Sequence, residues 1–354
     1  MHPVKYILPA LILILILILT LAISGCENTT SEDSAFQIDE IRAKWNQYKP
    51  TNTGSRYTQD PKAESPYEAG SLTQAHLDDG LNMTKFVRYL AGLSEAVYLD
   101  DSLNDQAQHG AVLLAAIDKL DHNPPNPGDM ADDFYQKGKA SCGSSNLYVV
   151  SNKYNLTRAE HLDRVVRTFI HDLSNIRTVG HRRWILHPSL QKLGFGLAER
   201  NQSGGMHAYY ATMQIKDTSN TTDKVDMDYV SWPGKGYFPV DVFQGDEPWS
   251  VSLNPKVYDI SNCQPVVTLT NVTTGQKWVF SVIGDTSVKL KFFYFNRESS
   301  GWPGCVIFRP DGLESMTLTE NRLRNNTFAV TITGLVRKDG KSGSISYNVT
   351  FFEL

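Results

Sequence analysis

Between Phe36 and Met213 apolar residues recur mostly at helical spacing, and from Trp232 onward they alternate, so two differently built halves follow a long apolar leader. Phe36, Ile38, Ile41 and Trp45 predict a short amphipathic helix that Pro50 ends. Leu81, Phe86, Leu90 and Leu93 predict a second over about 77–94, and Leu103, Ala107, Ala111, Leu114 and Ile117 a third over about 102–120. Asn123-Pro124-Pro125 would stop the third, because the residue before a proline is pushed out of the α region, leaving His122 at the helix C-terminus where the dipole favours a protonated imidazole. Thr157-Arg158-Ala159-Glu160 matches a capping box that starts a further helix. Leu162, Val165, Phe169 and Leu173 lie on one face of it, and Asp172 falls on the same stripe, where a buried carboxylate needs a charged or hydrogen-bonding partner.

Trp184-Ile185-Leu186, Gly194 to Leu197 and the aromatic run Met206 to Met213 read as strands of a small sheet. Helices flanking an antiparallel sheet give an α+β domain ending near Lys216, and a polar stretch from Asp217 to Asp228 leads onward. Beyond it, Val288, Leu290, Phe292 and Tyr294 alternate with other residues, as do Phe328, Val330 and Ile332, and Ile345, Tyr347, Val349 and Phe351. Further strands are expected at Trp249 to Leu253, Val266 to Thr270, Lys277 to Ile283 and Cys305 to Phe308. About seven short strands with Gly, Asn and Asp turns imply an all-β sandwich of immunoglobulin-like size. The expected division is 1–25 leader, 26–35 polar tether, 36–216 α+β domain, 217–231 linker and 232–354 sandwich.

The leader sets the expected compartment. From Tyr6 to Ser24 it is apolar apart from Thr20, long enough at roughly 20 residues to span a bilayer. It ends in Ile23-Ser24-Gly25-Cys26, which resembles the lipobox of bacterial lipoproteins, where cleavage would leave Cys26 lipidated. Ordinary secretory cleavage and an uncleaved signal anchor are the alternatives, and all three place the body outside the cytoplasm, held to the membrane where an anchor remains. Cysteine use is sparse: Cys263 and Cys305 fall in one segment and are candidates for a disulfide, while Cys142 is expected to be a small buried hydrophobe. With 41% hydrophobic residues and a net charge of −4 the chain has material for two cores and no basic stripe, which argues against a nucleic-acid partner.

Candidate chemistry concentrates in Val179 to Ser189 (VGHRRWILHPS) and in His122 of DHNPP. His122, Asp172 and His181 could form a three-ligand zinc site with an open position, or the histidine and aspartate could be a structural hydrogen-bonded pair. Ser145 beside either histidine raises a serine nucleophile with a His-Asp relay, but no G-x-S-x-G elbow surrounds it. Arg182 and Arg183 could bind an anion near the cleft or bridge carboxylates such as Asp172, and His161, His171 and His187 read as surface or packing residues.

The order LNMTKFVRYLAGL, DDSLNDQAQHGAVLLAA, LDHNPP, SSNLY, FIHDLSN and VGHRRWILHPSLQKLGFG resembles the CAP superfamily (cysteine-rich secretory proteins, antigen 5, pathogenesis-related 1), in its bacterial exported branch, over roughly Gln74 to Met213. The resemblance implies an α-β-α sandwich whose cleft carries two histidines and two acidic residues. His122 and His181 match the histidines, Asp172 the second acidic residue, and Asn146 an asparagine, while Ser145 stands where the family often has glutamate. It also implies an extracellular role that the fold does not fix, with a lipid, peptide or envelope component as the ligand. A binding module whose cleft holds zinc or another divalent cation is the expectation, and a metal-dependent hydrolase of peptide or envelope polymer is the alternative.

Overall fold

The computed structural model describes residues 31–152, 161–220, 227–281, 291–313 and 322–354. The leader with Cys26, the capping box at Thr157–Glu160, and Val288 and Leu290 lie outside the described residues. In chain order the elements are α1 (Ser31–Tyr48), β1 (Tyr57–Gln59), β2 (Ser71–Leu72), α2 (Gln74–Leu90), β3 (Tyr98–Leu99), α3 (Asp101–Ile117), α4 (Asp132–Ser144), β4 (Ser145–Asn152), α5 (Leu162–His171), α6 (Gly180–Ile185), β5 (Lys192–Gln202) and β6 (Met206–Gln214). Nine more strands follow: β7 (Tyr229–Trp232), β8 (Gly236–Pro239), β9 (Trp249–Leu253), β10 (Val266–Asn271), β11 (Lys277–Phe280), β12 (Phe292–Asn296), β13 (Cys305–Arg309), β14 (Thr327–Val336) and β15 (Ser342–Phe352).

The first half is built on a four-stranded sheet in the order β3-β5-β6-β4. Its layering follows from alternation along Gly194-Phe195-Gly196. A Cβ on Gly194 or Gly196 would lie 2.3 Å from the Leu103 carbonyl carbon or 2.2 Å from the Ala107 oxygen, so α3 rests directly on the strand backbone. Phe195 points the other way, to Gly80 of α2, where a Cβ would stand 2.9 Å from both the Phe195 ring and Leu162 of α5. The sheet therefore lies between α3 on one face and α2 with α5 on the other, the α-β-α order expected. Asp100 starts α3 by accepting from the Ser102 and Leu103 amides. The helix stops at Asp118, left-handed at φ 54°.

The second half is a two-sheet sandwich, β11-β10-β14-β15-β8 against β12-β13-β9-β7. Trp249 sits between the sheets, its ring 5.7 Å from Phe243, 5.9 Å from Phe308, 5.7 Å from Phe328 and 5.9 Å from Phe351. Phe328, Val330 and Ile332, and Ile345, Tyr347, Val349 and Phe351, face inward as their alternation predicts. The α+β class stands, with more strands than expected and β7 starting at Tyr229, three residues before Trp232.

Several local expectations are corrected. Trp184-Ile185-Leu186 is not a strand, since Trp184 and Ile185 end the short helix α6. The third predicted helix ends at Ile117, so His122 lies in the following loop beyond reach of its dipole. Asp172 is not on the stripe of α5: it caps the helix in a left-handed turn at φ 50°. Cys263 and Cys305 are free and buried, the first accepting from the Val336 amide at 3.3 Å and the second facing the Ser252 hydroxyl at 3.6 Å. In β12, Tyr294 is exposed while Phe292 and Phe293 are both buried, against simple alternation. The reason is that this sheet is covered on its outer side as well, where Phe292, Cys305 and Ile307 pack with Ile176 and Val179. The two halves are thus joined through an apolar seam, and Ile41–Leu354 forms one compact unit apart from Met1–Glu40.

Candidate functional site

Val179, Arg182 and Arg183 of the segment that stands out in the sequence meet the sandwich at this seam. Val179 takes a left-handed turn at φ 41° and Gly180 opens α6, whose two arginines turn into the sandwich. Arg182 is fully buried and fills all its donors. Nε reaches the Ile170 carbonyl at 2.6 Å, Nη1 the Pro248 carbonyl at 2.7 Å and the Ser250 hydroxyl at 3.0 Å. Nη2 reaches the His171 carbonyl at 3.1 Å and Glu247 Oε1 at 2.8 Å. Glu247, itself buried, also accepts from Trp232 Nε1 at 2.7 Å, His171 Nδ1 at 2.6 Å and the Gln244 amide at 3.1 Å. Arg183 donates to Asn296 Oδ1 at 2.9 Å and to the carbonyls of Thr178, Glu298 and Trp302 at 3.2, 2.8 and 2.5 Å. The arginines are a clasp between halves, and the carboxylate that the Arg182 side chain pairs with is Glu247, 65 residues away in sequence, rather than Asp172, while Arg183 donates to an amide oxygen and to carbonyls. Glu247 sits in a Gly-Asp-Glu-Pro turn that carries no signal of this role. His171, expected to be a surface or packing residue, is part of the same network.

With the arginines turned away, His181 faces the other side of the seam. Asp172, held in its left-handed turn and buried, accepts from the His181 ring Nδ1 at 2.7 Å and from the His181 amide at 3.1 Å. Asn146 donates to the His181 carbonyl at 3.1 Å. His122, on the loop after α3, has Nδ1 2.7 Å from the Cys142 carbonyl, and a carbonyl can only accept, so this nitrogen carries the proton. Each imidazole is thereby oriented by a partner at Nδ1, leaving Nε2 as its open nitrogen. A cavity of about 340 Å³ is lined by His122, Ser145, Asn146, His181, Trp184 and, from the sandwich half, Ser299 and Ser300, among others. Both histidines, the serine and the asparagine named from the sequence thus line one cavity. Asp172 stands behind it and lines a neighbouring groove of about 380 Å³ with Leu147, Phe169 and Leu173, which His181 shares.

The donor set decides what a metal could use. Among the described residues, His122, Asp172 and His181 do not form a group whose ligand atoms lie within 4.8 Å of one another, and Asp172 is committed to orienting His181. The three residues are therefore not drawn together as a three-ligand set, and the two imidazoles, each with a partner at Nδ1, are what the cleft offers as nitrogen donors. A hydroxyl at Ser145 supplies no charge, and Ser145 Oγ is buried without a hydrogen-bond partner among the described residues, so no Ser-His relay forms. Cys142 is fully buried, its thiol pushed up to about 12 by burial, an inert small hydrophobe as expected.

His187 gives a pH prediction. Burial, assisted by the Arg88 guanidinium, pulls it down from 6.5 to about 4, and its Nδ1 accepts from the Ser189 amide at 3.1 Å, which requires the neutral ring. Between pH 6.5 and 4 the unfolded chain binds the extra proton, so stability contributed by the neutral ring is lost as pH falls through that window. Melting temperature should drop from pH 7 to 4.5 more steeply in the parent chain than in His187→Phe. Equal slopes would show that folding does not depress the His187 pKa.

Comparison with known proteins supplies the context for this geometry. The family model described as CAP, the cysteine-rich secretory protein family, matches residues 81–215. No curated protein matches the chain in sequence. Similar solved structures include Schistosoma mansoni venom allergen-like protein 4, at 13% identity over 42% of this chain and 93% of that one, with a TM-score of 0.25. An outer surface protein of Borrelia burgdorferi is 14% identical over 39% of this chain and 90% of that one, with a TM-score of 0.23.

Proposed function

On the premise that residues 81–215 are a domain of the cysteine-rich secretory protein family, we propose that the chain is an exported or surface-anchored binding module rather than an enzyme. Its ligand site is the cavity shared by His122 and His181, and the two open Nε2 atoms hold a divalent cation to which an oxygen-bearing envelope component attaches. The observation that carries this reading is that both imidazoles, each fixed at Nδ1, line one open cavity with a tryptophan, an asparagine and serines from both halves. Such a lining offers hydrogen bonds and one stacking face but no partnered nucleophile, which suits holding a polar ligand better than cleaving it.

Export rests on the leader, whose residues lie outside the described ones; among those described, no helix is long and apolar enough to cross a membrane. Fatty-acid label lost in Cys26→Ala would establish the lipid anchor, and equal label in both chains would remove it. For the cleft, calorimetric titration of the full chain with zinc should show an equivalent that disappears in His122→Ala/His181→Ala. Identical uptake by the two chains would end the cleft reading. The Asp172–His181 pair favours one second reading, a metal-dependent hydrolase in which the same imidazoles would hold the cation that activates a water, with Asp172 raising the basicity of the ligating His181 ring. Metal-dependent turnover of peptidoglycan fragments that vanishes in the same double variant would favour it over simple binding.

A further inference from the structure

A second group of ligating side chains lies at the other end of α5. We propose that Asp79, His161 and Asp163 form a divalent-cation site, separate from the cleft and independent of the reading given to it. One ligand atom from each lies within 4.8 Å of the others. Metal bonds of about 2 Å bring donor atoms to about 4 Å or less from one another, so side-chain movement alone can close the set on an ion.

The convergence is a consequence of packing. Gly80 of α2 lets α5 approach until a Cβ there would be 2.9 Å from Leu162, and the residues flanking that contact are Asp79 on one helix and His161 and Asp163 on the other. Both carboxylates are buried, Asp79 at 1% exposure and Asp163 at 4%. Two buried carboxylates this close repel each other, and a cation between them converts the repulsion into attraction. Asp79 is already oriented, accepting from the Thr51 amide at 2.9 Å through Oδ1 and the Asn52 amide at 3.2 Å through Oδ2, which leaves each oxygen a second lone pair. Nδ1 of His161 is shielded from solvent and has no hydrogen-bond partner among the described residues, which is the state of a ligand atom awaiting its ion. The His161 ring is braced edge-on by His76, with centroids 5.6 Å apart. Asp163 also lines a cavity of about 510 Å³ that opens beside Trp45 and Pro50, a route by which an ion enters. Arg167, which lines the same cavity, donates to the Asp241 carbonyl and stands close enough to Asp163 to offset part of its charge in the ion's absence.

One imidazole and two carboxylates, without thiolate, suit zinc or manganese. The site is distinct from the cleft because α5, at 1.5 Å rise per residue, separates its two ends by about 15 Å. The experiment therefore uses the full chain carrying His122→Ala/His181→Ala, which silences the cleft. Calorimetric titration with zinc should still show one equivalent, weakened about 100-fold or more by Asp163→Asn and by Asp79→Asn, since removing even a ligand's outer partner typically costs 10- to 100-fold. No uptake in this background, or uptake that a folded Asp163→Asn chain retains in full, would overturn the site. Should either substitution prevent folding, zinc-edge X-ray absorption of the loaded background protein decides: a nitrogen and oxygen shell with imidazole scattering supports the assignment, and sulfur ligation by the buried cysteines refutes it. Loss of the cleft equivalent alone leaves this site standing, so the two proposals fail separately.

Discussion

Arg182→Ala should cost about 3–5 kcal/mol and split unfolding into two transitions, because it strips a buried carboxylate of the guanidinium paired with it. In the parent chain Glu247 accepts four hydrogen bonds, from Arg182, Trp232, His171 and the Gln244 amide. Removing the guanidinium leaves Glu247 fully buried with His171 and the more distant Arg167 as counter-charges, and leaves the Ile170, His171 and Pro248 carbonyls without their donor. Those carbonyls come from both halves, so what is lost is the coupling between them as well as the stability of either. Urea titration followed by tryptophan fluorescence and by far-ultraviolet circular dichroism should give coincident curves for the parent and separated ones for Arg182→Ala. Coincident curves in the variant would mean that the apolar seam of Val179, Ile176, Phe292 and Ile307 carries the coupling without the clasp. Lysine at this position should recover little, since a single ammonium cannot reach five acceptors spread around a planar fork.

What the sequence discloses follows how local each signal is. The helical stripes of α2 and α3 and the alternation of β14 and β15 were legible because each element buries one face of its own pattern. The cleft was legible through short motifs on either side of it, His122 after α3 and His181 in α6. The pairing of Asp172 was foreseen for the wrong reason: the stripe places it on a helix, whereas a left-handed turn aims its carboxylate back at the His181 ring and amide. The partner of Arg182 was not legible, because a carboxylate in a Gly-Asp-Glu-Pro turn acquires its meaning only when the sandwich docks. The failure of alternation in β12 has the same cause, since a sheet covered on both sides has no polar face to display. The group at Asp79, His161 and Asp163 depends on a glycine contact between helices that no spacing along the chain encodes.

Trp249→Ala should lower stability by about 3–5 kcal/mol, the usual range for deleting a buried large aromatic side chain, yet leave a single unfolding transition. The indole is 1% exposed and touches Phe308 in its own sheet and Phe328 and Phe351 in the opposing one, so the void would open between the sheets, where neither can collapse without shifting strands. It also lies between Pro248 and Ser250, the residues that receive Arg182 Nη1. With the clasp chemically intact, destabilising the sandwich should pull the α-β-α half down with it, and the two probes should report one shifted transition. Zinc uptake at the cleft, whose wall includes Ser299 and Ser300, should fall at temperatures where the variant sandwich is melted and the parent's is not. Separate transitions in Trp249→Ala, with the α-β-α half melting where it does in the parent, would show that the clasp aligns the halves without coupling their stability. The opposite responses expected of Arg182→Ala and Trp249→Ala distinguish a loss of coupling from a loss of core, which one variant alone could not do.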